Sequence, residues 1–171
     1  MRGRPQESEA ANFFWKYIDK VEGDDPIAAL ERQLPDAMAL FAGISEERSM
    51  FRYAPEKWSV RQSLNHVTDT ERAFTFRALW FGRGFAGALD SFDDQTAAAG
   101  AQADRVRWAA HVEEFRQVRL ATISLFRNMP DEAWLRTGVA SGNVVSVRAL
   151  AFISVGHAAH HFALLRERYL A

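Results

Sequence analysis

Apolar residues recur at helical spacing in four long stretches of this chain, while strict alternation of apolar and polar residues is scarce. That contrast restricts the fold more than any other property of the sequence. In the first stretch, Asp24 and Asp25 precede Pro26, a pattern that opens a helix because proline is tolerated in the first turn and a carboxylate there accepts free amide protons. This helix runs over about 24–43 through Leu30, Leu34, Leu40 and Phe41 to Gly43, and Pro35 inside it predicts a kink or break. A second helix over about 59–82 is capped by Ser59, with Val60, Leu64, Val67, Phe74, Ala78 and Phe81 on one arc. Val106, Val112, Phe115, Thr122 and Phe126 mark a third over about 104–129, stopped by Pro130. Leu150, Ile153, Leu164 and Leu165 mark a fourth over about 146–169. Four amphipathic helices in 171 residues predict an all-α four-helix bundle, a single domain over 1–171. The segment 1–23, with SEAANFFWKYIDKV, reads as an N-terminal extension that packs its aromatics on the bundle.

Two connections are long. The run GFAGALDSFDDQTAAAGAQ over 84–102 exceeds a simple turn, and such loops are functional or disordered more often than not. It reads either as a lid carrying Phe85, Phe92, Asp93, Asp94 and Gln95 over a site, or as a surface connection with a little helix. PDEAWLRTGVASGNVVSV is the second. Together they imply crossover connections, with the order of the helices left open.

Composition removes several function classes. Lys and Arg total 21 against 22 Asp and Glu, so a net charge of −1 offers no global field for a phosphate backbone, and no nucleic-acid partner is expected. Cysteine is absent, which excludes disulfides, thiolate metal clusters and a protein thiol nucleophile; any thiol chemistry needs a thiol from outside. No apolar run approaches the roughly 20 residues that cross a bilayer, and MRGRPQESEA lacks a signal-like apolar stretch. A cytoplasmic protein without a membrane partner is the expectation.

Three histidines carry the chemistry: His66 in WSVRQSLNHVTDTE, and His157 and His161 in GHAAHHFALLRERYL. His157 and His161 lie one helical turn apart, in the stripe of Leu150, Ile153 and Leu164, and so face the core. An imidazole unpaired there costs about 1–3 kcal/mol, and a metal satisfies both rings at once. His66 sits at the border of another helix's apolar arc, beside the small residues Ser63, Thr70 and Ala73. Three neutral histidines leave open positions on a divalent ion, where water or thiol is acidified toward neutral pH. Nitrogen donors favour the later first-row metals, Zn or Ni ahead of Mn or Fe.

Other candidates surround the trio. His160 and Thr70 are expected to support the ligand rings from behind, and His111 to be ordinary. Glu71 falls near the middle of its apolar arc, so it is buried and paired, either with Arg148 or Arg77 or with a ligating imidazole. Asp69 and Asp94 are candidate proton acceptors beside the metal, and Arg127 and Arg136 candidate contacts to an anionic thiol. The five tryptophans read as core.

The runs KWSVRQSLNHVTDTERAFTFRAL and VSVRALAFISVGHAAHHFALLRERYL resemble the two histidine-bearing helices of the DinB-like superfamily, in its YfiT-like and bacillithiol-transferase-like branch. Lys57, Trp58, Glu71, Arg77 and Arg148 accompany the trio. The resemblance implies an up-down-down-up bundle, a divalent metal on His66, His157 and His161, and frequent homodimers. It also implies a metal-dependent enzyme acting on a small-molecule substrate, either transferring a low-molecular-weight thiol to an electrophile or hydrolysing its substrate. A non-catalytic, stress-linked metal-binding bundle is the remaining alternative.

Overall fold

The computed structural model describes residues 2–170. Four long helices dominate: α2 (Pro26–Ala42), α3 (Val60–Gly82), α5 (Trp108–Arg127) and α6 (Val147–Leu164), with two short ones, α1 (Trp15–Ile18) and α4 (Asp94–Ala101). Their ends follow from local chemistry. Asp25 accepts from the amides of Ile27 and Ala28 ahead of Pro26, and Ser59 and Gln62 form a reciprocal capping box at the start of α3. Ser146 caps α6 through the amide of Ala149.

Contacts between chain ends give the helix directions. Trp108, at the start of α5, donates its indole Nε1 to the carbonyl of Phe41 near the end of α2, while Arg127 at the other end of α5 pairs with Glu31. Hence α2 and α5 are antiparallel. Ser59 donates to Asp104, and Arg61 donates to the carbonyl of Val106 at 2.8 Å, so α3 and α5 start at the same end and run parallel. Arg136 donates to the carbonyl of Gly82 at 2.6 Å, which brings the start of α6 to the end of α3. The order is up-down-down-up, and the segment 83–107 is the long crossover between two parallel helices.

Pro35 does not break α2, which is continuous through it. The proline lies on the exposed side, so water can serve the carbonyl left without its intrahelical partner. Helix α5 starts at Trp108 rather than near 104, because Asp104 and Val106 give their carbonyls to Arg61, and Glu46 accepts from the amide of Trp108 at 2.9 Å. A carboxylate at a helix N-terminus is stabilising. Helix α6 ends at Leu164, and a wider turn over Leu165–Tyr169 follows.

A hairpin of β1 (Thr137–Ala140) and β2 (Asn143–Ser146) lies in the second long connection, antiparallel, with Ala140 opposite Asn143. Ser141 and Gly142 both take positive φ, 53° and 73°, the two-residue turn that suits the twist of a hairpin. Leu89 bridges to this hairpin through its amide to Val139 (2.9 Å) and its carbonyl to Ser141 (3.0 Å). The crossover segment is thereby tied down across the bundle. Among the described residues no helix is long and apolar enough to cross a membrane.

The buried apolar residues form two clusters. One holds Leu30, Phe74, Phe81, Phe126, Trp134 and Leu150; the other holds Phe41, Leu64, Phe115, Phe162 and Tyr169. Between them lies a polar layer drawn from all four long helices. Glu71 accepts two bonds of 2.8 Å from Arg119, Arg119 also donates to Gln33 at 2.6 Å, and Gln33 donates to the carbonyl of Val155 at 3.1 Å. Glu71 is therefore buried and paired, but its partner is Arg119; Arg148 pairs instead with Glu9, and Arg77 makes only neutral contacts.

Candidate metal centre

The histidines stand at the level of this polar layer, at the edge of the bundle. His66 comes from α3, His157 and His161 from successive turns of α6, and one nitrogen from each lies within 4.8 Å of the others. His66 Nε2 and His157 Nε2 are 3.1 Å apart. Two ligands on a tetrahedral ion with bonds of about 2.0–2.1 Å would be about 3.3 Å apart, so this spacing suits one shared ion. His66 and His157 are 8% and 5% exposed.

Burial makes protonation unfavourable at all three rings. His157 is pushed well below the usual imidazole range, first by desolvation and then by repulsion from His161 and His66. His161 falls to about 3, with desolvation leading and repulsion from His66 and His160 adding to it. Desolvation also lowers His66, against a smaller upward pull from Asp94 and Asp69. Each ring therefore stays neutral, with a lone pair to give. Among the described residues no carboxylate joins the cluster, so the donor set is three nitrogens. The residues present fit a divalent ion.

A cleft of about 230 Å³ opens beside His66 and His157. Its walls come from four separate parts of the chain: Phe14 and Tyr17 from the N-terminal segment, Thr70 and Arg77 from α3, Phe92 and Asp94 from the crossover, and Ser141 from the hairpin turn. Tyr17 meets His157 edge-on at 5.2 Å between ring centres and His160 at 5.6 Å. This approach depends on Gly156, where a Cβ would stand 1.9 Å from the carbonyl oxygen of Tyr17. The N-terminal segment is held there by Glu9, which accepts from Arg148 and, at 2.7 Å, from Ser146. It also rests on Arg4, which donates to the carbonyls of Ile18 and Val21 at 3.0 and 2.7 Å.

The other sequence candidates fall as follows. Thr70 Oγ1 faces His66 Nδ1 at 3.4 Å, the outer limit of a hydrogen bond. His160 lies beside the cluster, partly exposed, 5.2 Å from the His161 ring. Glu71 has both oxygens on Arg119 and none on an imidazole. Asp94 lines the histidine cleft. Asp69 instead borders a neighbouring, wider depression and accepts from Asn65 at 2.5 Å and Arg72 at 3.0 Å. His111 is buried with Nε2 on the carbonyl of Ala103 at 2.9 Å. Arg127 and Arg136 serve Glu31 and Gly82 and do not reach the cleft. Trp108 and Trp134 are core, whereas Trp58 is half-buried with its ring 4.8 Å from His66.

Sequence reasoning missed Tyr17 and Ser141 as walls of the site, while Phe92 lines it as one of the residues of the candidate lid. Only Ser141 carried a usable local signal, because Ser-Gly between short apolar runs marks a tight hairpin.

The sequence matches the DinB superfamily over residues 29–165, which contain all three histidines. The chain belongs to this superfamily. Among solved structures it is similar to YfiT from Bacillus subtilis, described as a probable metal-dependent hydrolase with an unusual four-helix bundle topology. The TM-score is 0.72 at 17% identity, over 95% of this chain and 89% of that one. It is also similar to a mycothiol-dependent maleylpyruvate isomerase, with TM-score 0.68 at 9% identity. That match covers 85% of this chain and 60% of the isomerase. Likeness at these identities establishes the superfamily's fold. No protein of curated function matches the sequence.

Proposed function

We propose that this chain is a metal-dependent enzyme that holds one divalent ion, Zn or Ni, on His66, His157 and His161 and transfers a low-molecular-weight thiol to a small electrophile. The observation that carries the reading is a set of three neutral nitrogens, unclosed by any carboxylate among the described residues, of which those of His66 and His157 line an accessible cleft. A purely structural ion would be expected to have its fourth position filled by the protein. When bound, the ion would supply Lewis acidity, lowering the pKa of a thiol or water brought to it.

The protein's own groups do the rest. Burial and mutual repulsion keep the imidazoles unprotonated and ready to donate. Thr70 Oγ1, 3.4 Å from His66 Nδ1, can accept from Nδ1–H in the tautomer that leaves Nε2 free. Asp94 stands in the cleft wall as the carboxylate able to take the proton of an incoming thiol. Phe14, Phe74 and Phe92 exclude water around an apolar electrophile. With no cysteine in the chain, the thiol comes from solution. The likeness to the mycothiol-dependent isomerase supports the thiol reading, and the likeness to YfiT supports hydrolysis of a small substrate as the second reading.

Metal analysis of the purified protein should find about one Zn or Ni per chain. Retention of that metal by the His157→Ala, His161→Ala double variant would refute the ligand set. Screening metal-loaded protein against small electrophiles with each common cellular thiol, and with water alone, separates transfer from hydrolysis. We also propose a homodimer, which sedimentation velocity measures.

A further inference from the structure

One buried cation in the cleft has no counter-charge. Arg77 is 7% exposed, and no carboxylate among the described residues lies within 4.0 Å of its guanidinium. Its hydrogen bonds are both to neutral acceptors and both from Nη2, to the carbonyl of Asp90 at 3.3 Å and to Ser141 Oγ at 3.0 Å. A guanidinium has five N–H donors. The Nη1 and Nε donors therefore lack a protein partner, yet neither atom is among the buried polar atoms sealed off without one. They reach open space.

That space is the site. Arg77 lines the histidine cleft and also the wider depression of about 600 Å³ next to it, so its side chain stands where the two meet. Desolvation alone depresses its pKa, and no acidic neighbour offsets this. By contrast, the other deeply buried arginines, Arg61 and Arg119, each have a carboxylate. A buried cation without an anion is costly unless a ligand supplies one.

We propose that Arg77 is the anion-binding residue of the cleft, taking the carboxylate of a small molecule whose apolar body lies against Phe14, Phe74 and Phe92. The unpartnered N–H groups of Nη1 can hold a carboxylate by a charge-assisted hydrogen bond. Ser141, in its positive-φ turn, accepts from Nη2 and so holds the guanidinium in place. Asp94, which also lines the cleft, repels a second carboxylate, so a monoacid, or a diacid whose other charge lies outside, is selected. The inference rests on the cleft being the substrate site. The carboxylate belongs either to the electrophile or to the thiol.

Two acid and amide pairs test it by calorimetry: phenylacetate against phenylacetamide for the electrophile, and N-acetylcysteine against its amide for the thiol. In one pair at least, the acid should bind about tenfold or more tightly than the amide, as expected for one charge-assisted hydrogen-bond pair. The pair that shows the preference identifies the source. Arg77→Gln should abolish the preference and Arg77→Lys should restore part of it. In the intact protein, titration with the preferred acid should shift the NMR signal of the Arg77 Nε–H, a readout that does not depend on a variant folding. Equal binding of acid and amide in both pairs overturns the proposal, as does a preference that survives Arg77→Gln. Repeating the titration without metal separates the two readings. A preference lost with the metal and indifferent to Arg77 places the anion on the ion and refutes this inference. A preference that persists in a protein found to bind no metal supports Arg77 while the metal reading fails.

Discussion

Replacing Gly156 with alanine tests whether the N-terminal segment is an integral wall of the site. In an ordinary helix interior this change stabilises by about 0.8–1.0 kcal/mol. Here the new Cβ would stand 1.9 Å from the carbonyl oxygen of Tyr17 and 2.5 Å from its carbonyl carbon. Both are backbone atoms, so no side-chain rotation relieves the overlap. A carbon–oxygen separation of about 3.3 Å requires the segment to move about 1.4 Å. Overpacking costs about 1–3 kcal/mol, and an overlap this deep against backbone falls at the upper end, about 2–3 kcal/mol, which after the propensity gain leaves a net loss of about 1–2 kcal/mol. Ile18 and Val21, 0% and 4% exposed, lie on the same segment and lose packing as it lifts. For a chain of this length the loss lowers Tm by about 2–8 °C. Thermal and urea unfolding measure it, with Gly100→Ala as control, since a Cβ there meets nothing within 4 Å and should be neutral or stabilising. The variant should also bind cleft ligands more weakly, because Phe14 and Tyr17 move with the segment. An unchanged or raised Tm for Gly156→Ala would show that the segment does not dock as described.

Other outcomes follow from the same contacts. Glu71→Gln leaves Arg119 buried without its carboxylate and should destabilise by about 3–5 kcal/mol in urea unfolding, far more than a surface charge change. A loss under 1 kcal/mol would remove the polar layer from the account of stability. In metal-free protein, the lowered pKa values of His66, His157 and His161 mean that the unfolded chain binds more protons than the folded one. Stability should then fall as pH drops below about 6.5 and keep falling toward about 3, the folded-state value of His161. A urea midpoint that rises between pH 7 and 5 contradicts this sign. Zn titration should change the fluorescence of Trp58, whose ring is 4.8 Å from His66, reversibly with chelator and not in Trp58→Phe.

Helix-scale features were legible in the chain because caps and apolar periodicity are local. Asp25 and Ser59 each cap the helix expected of them, and Ser146 caps the helix expected to begin there. Pro35 does not break its helix, because the outcome depends on whether the freed carbonyl faces water, which one-dimensional pattern does not express. The hairpin was missed because each strand has only four residues, too few for alternation to stand out, though Ser141 and Gly142 mark its turn. The histidine cluster could be read because two of its members share a helix face. The partner of Glu71 could not, since Arg119 is 48 residues away on a helix whose direction is set by the crossover. Tyr17 joins the site only through tertiary docking, and nothing in its neighbours announces it.

The layer formed by Gln33, Glu71 and Arg119 divides the interior into two apolar compartments stacked end to end. Each can be redesigned with little regard for the other. A substitution at Phe126 or Leu150 should combine additively with one at Phe41 or Phe162, while any change at Arg119 should couple to both. For laboratory evolution, this makes the two ends of the bundle independent reserves of stability, with the metal and the cleft mounted on the one stratum that tolerates no drift.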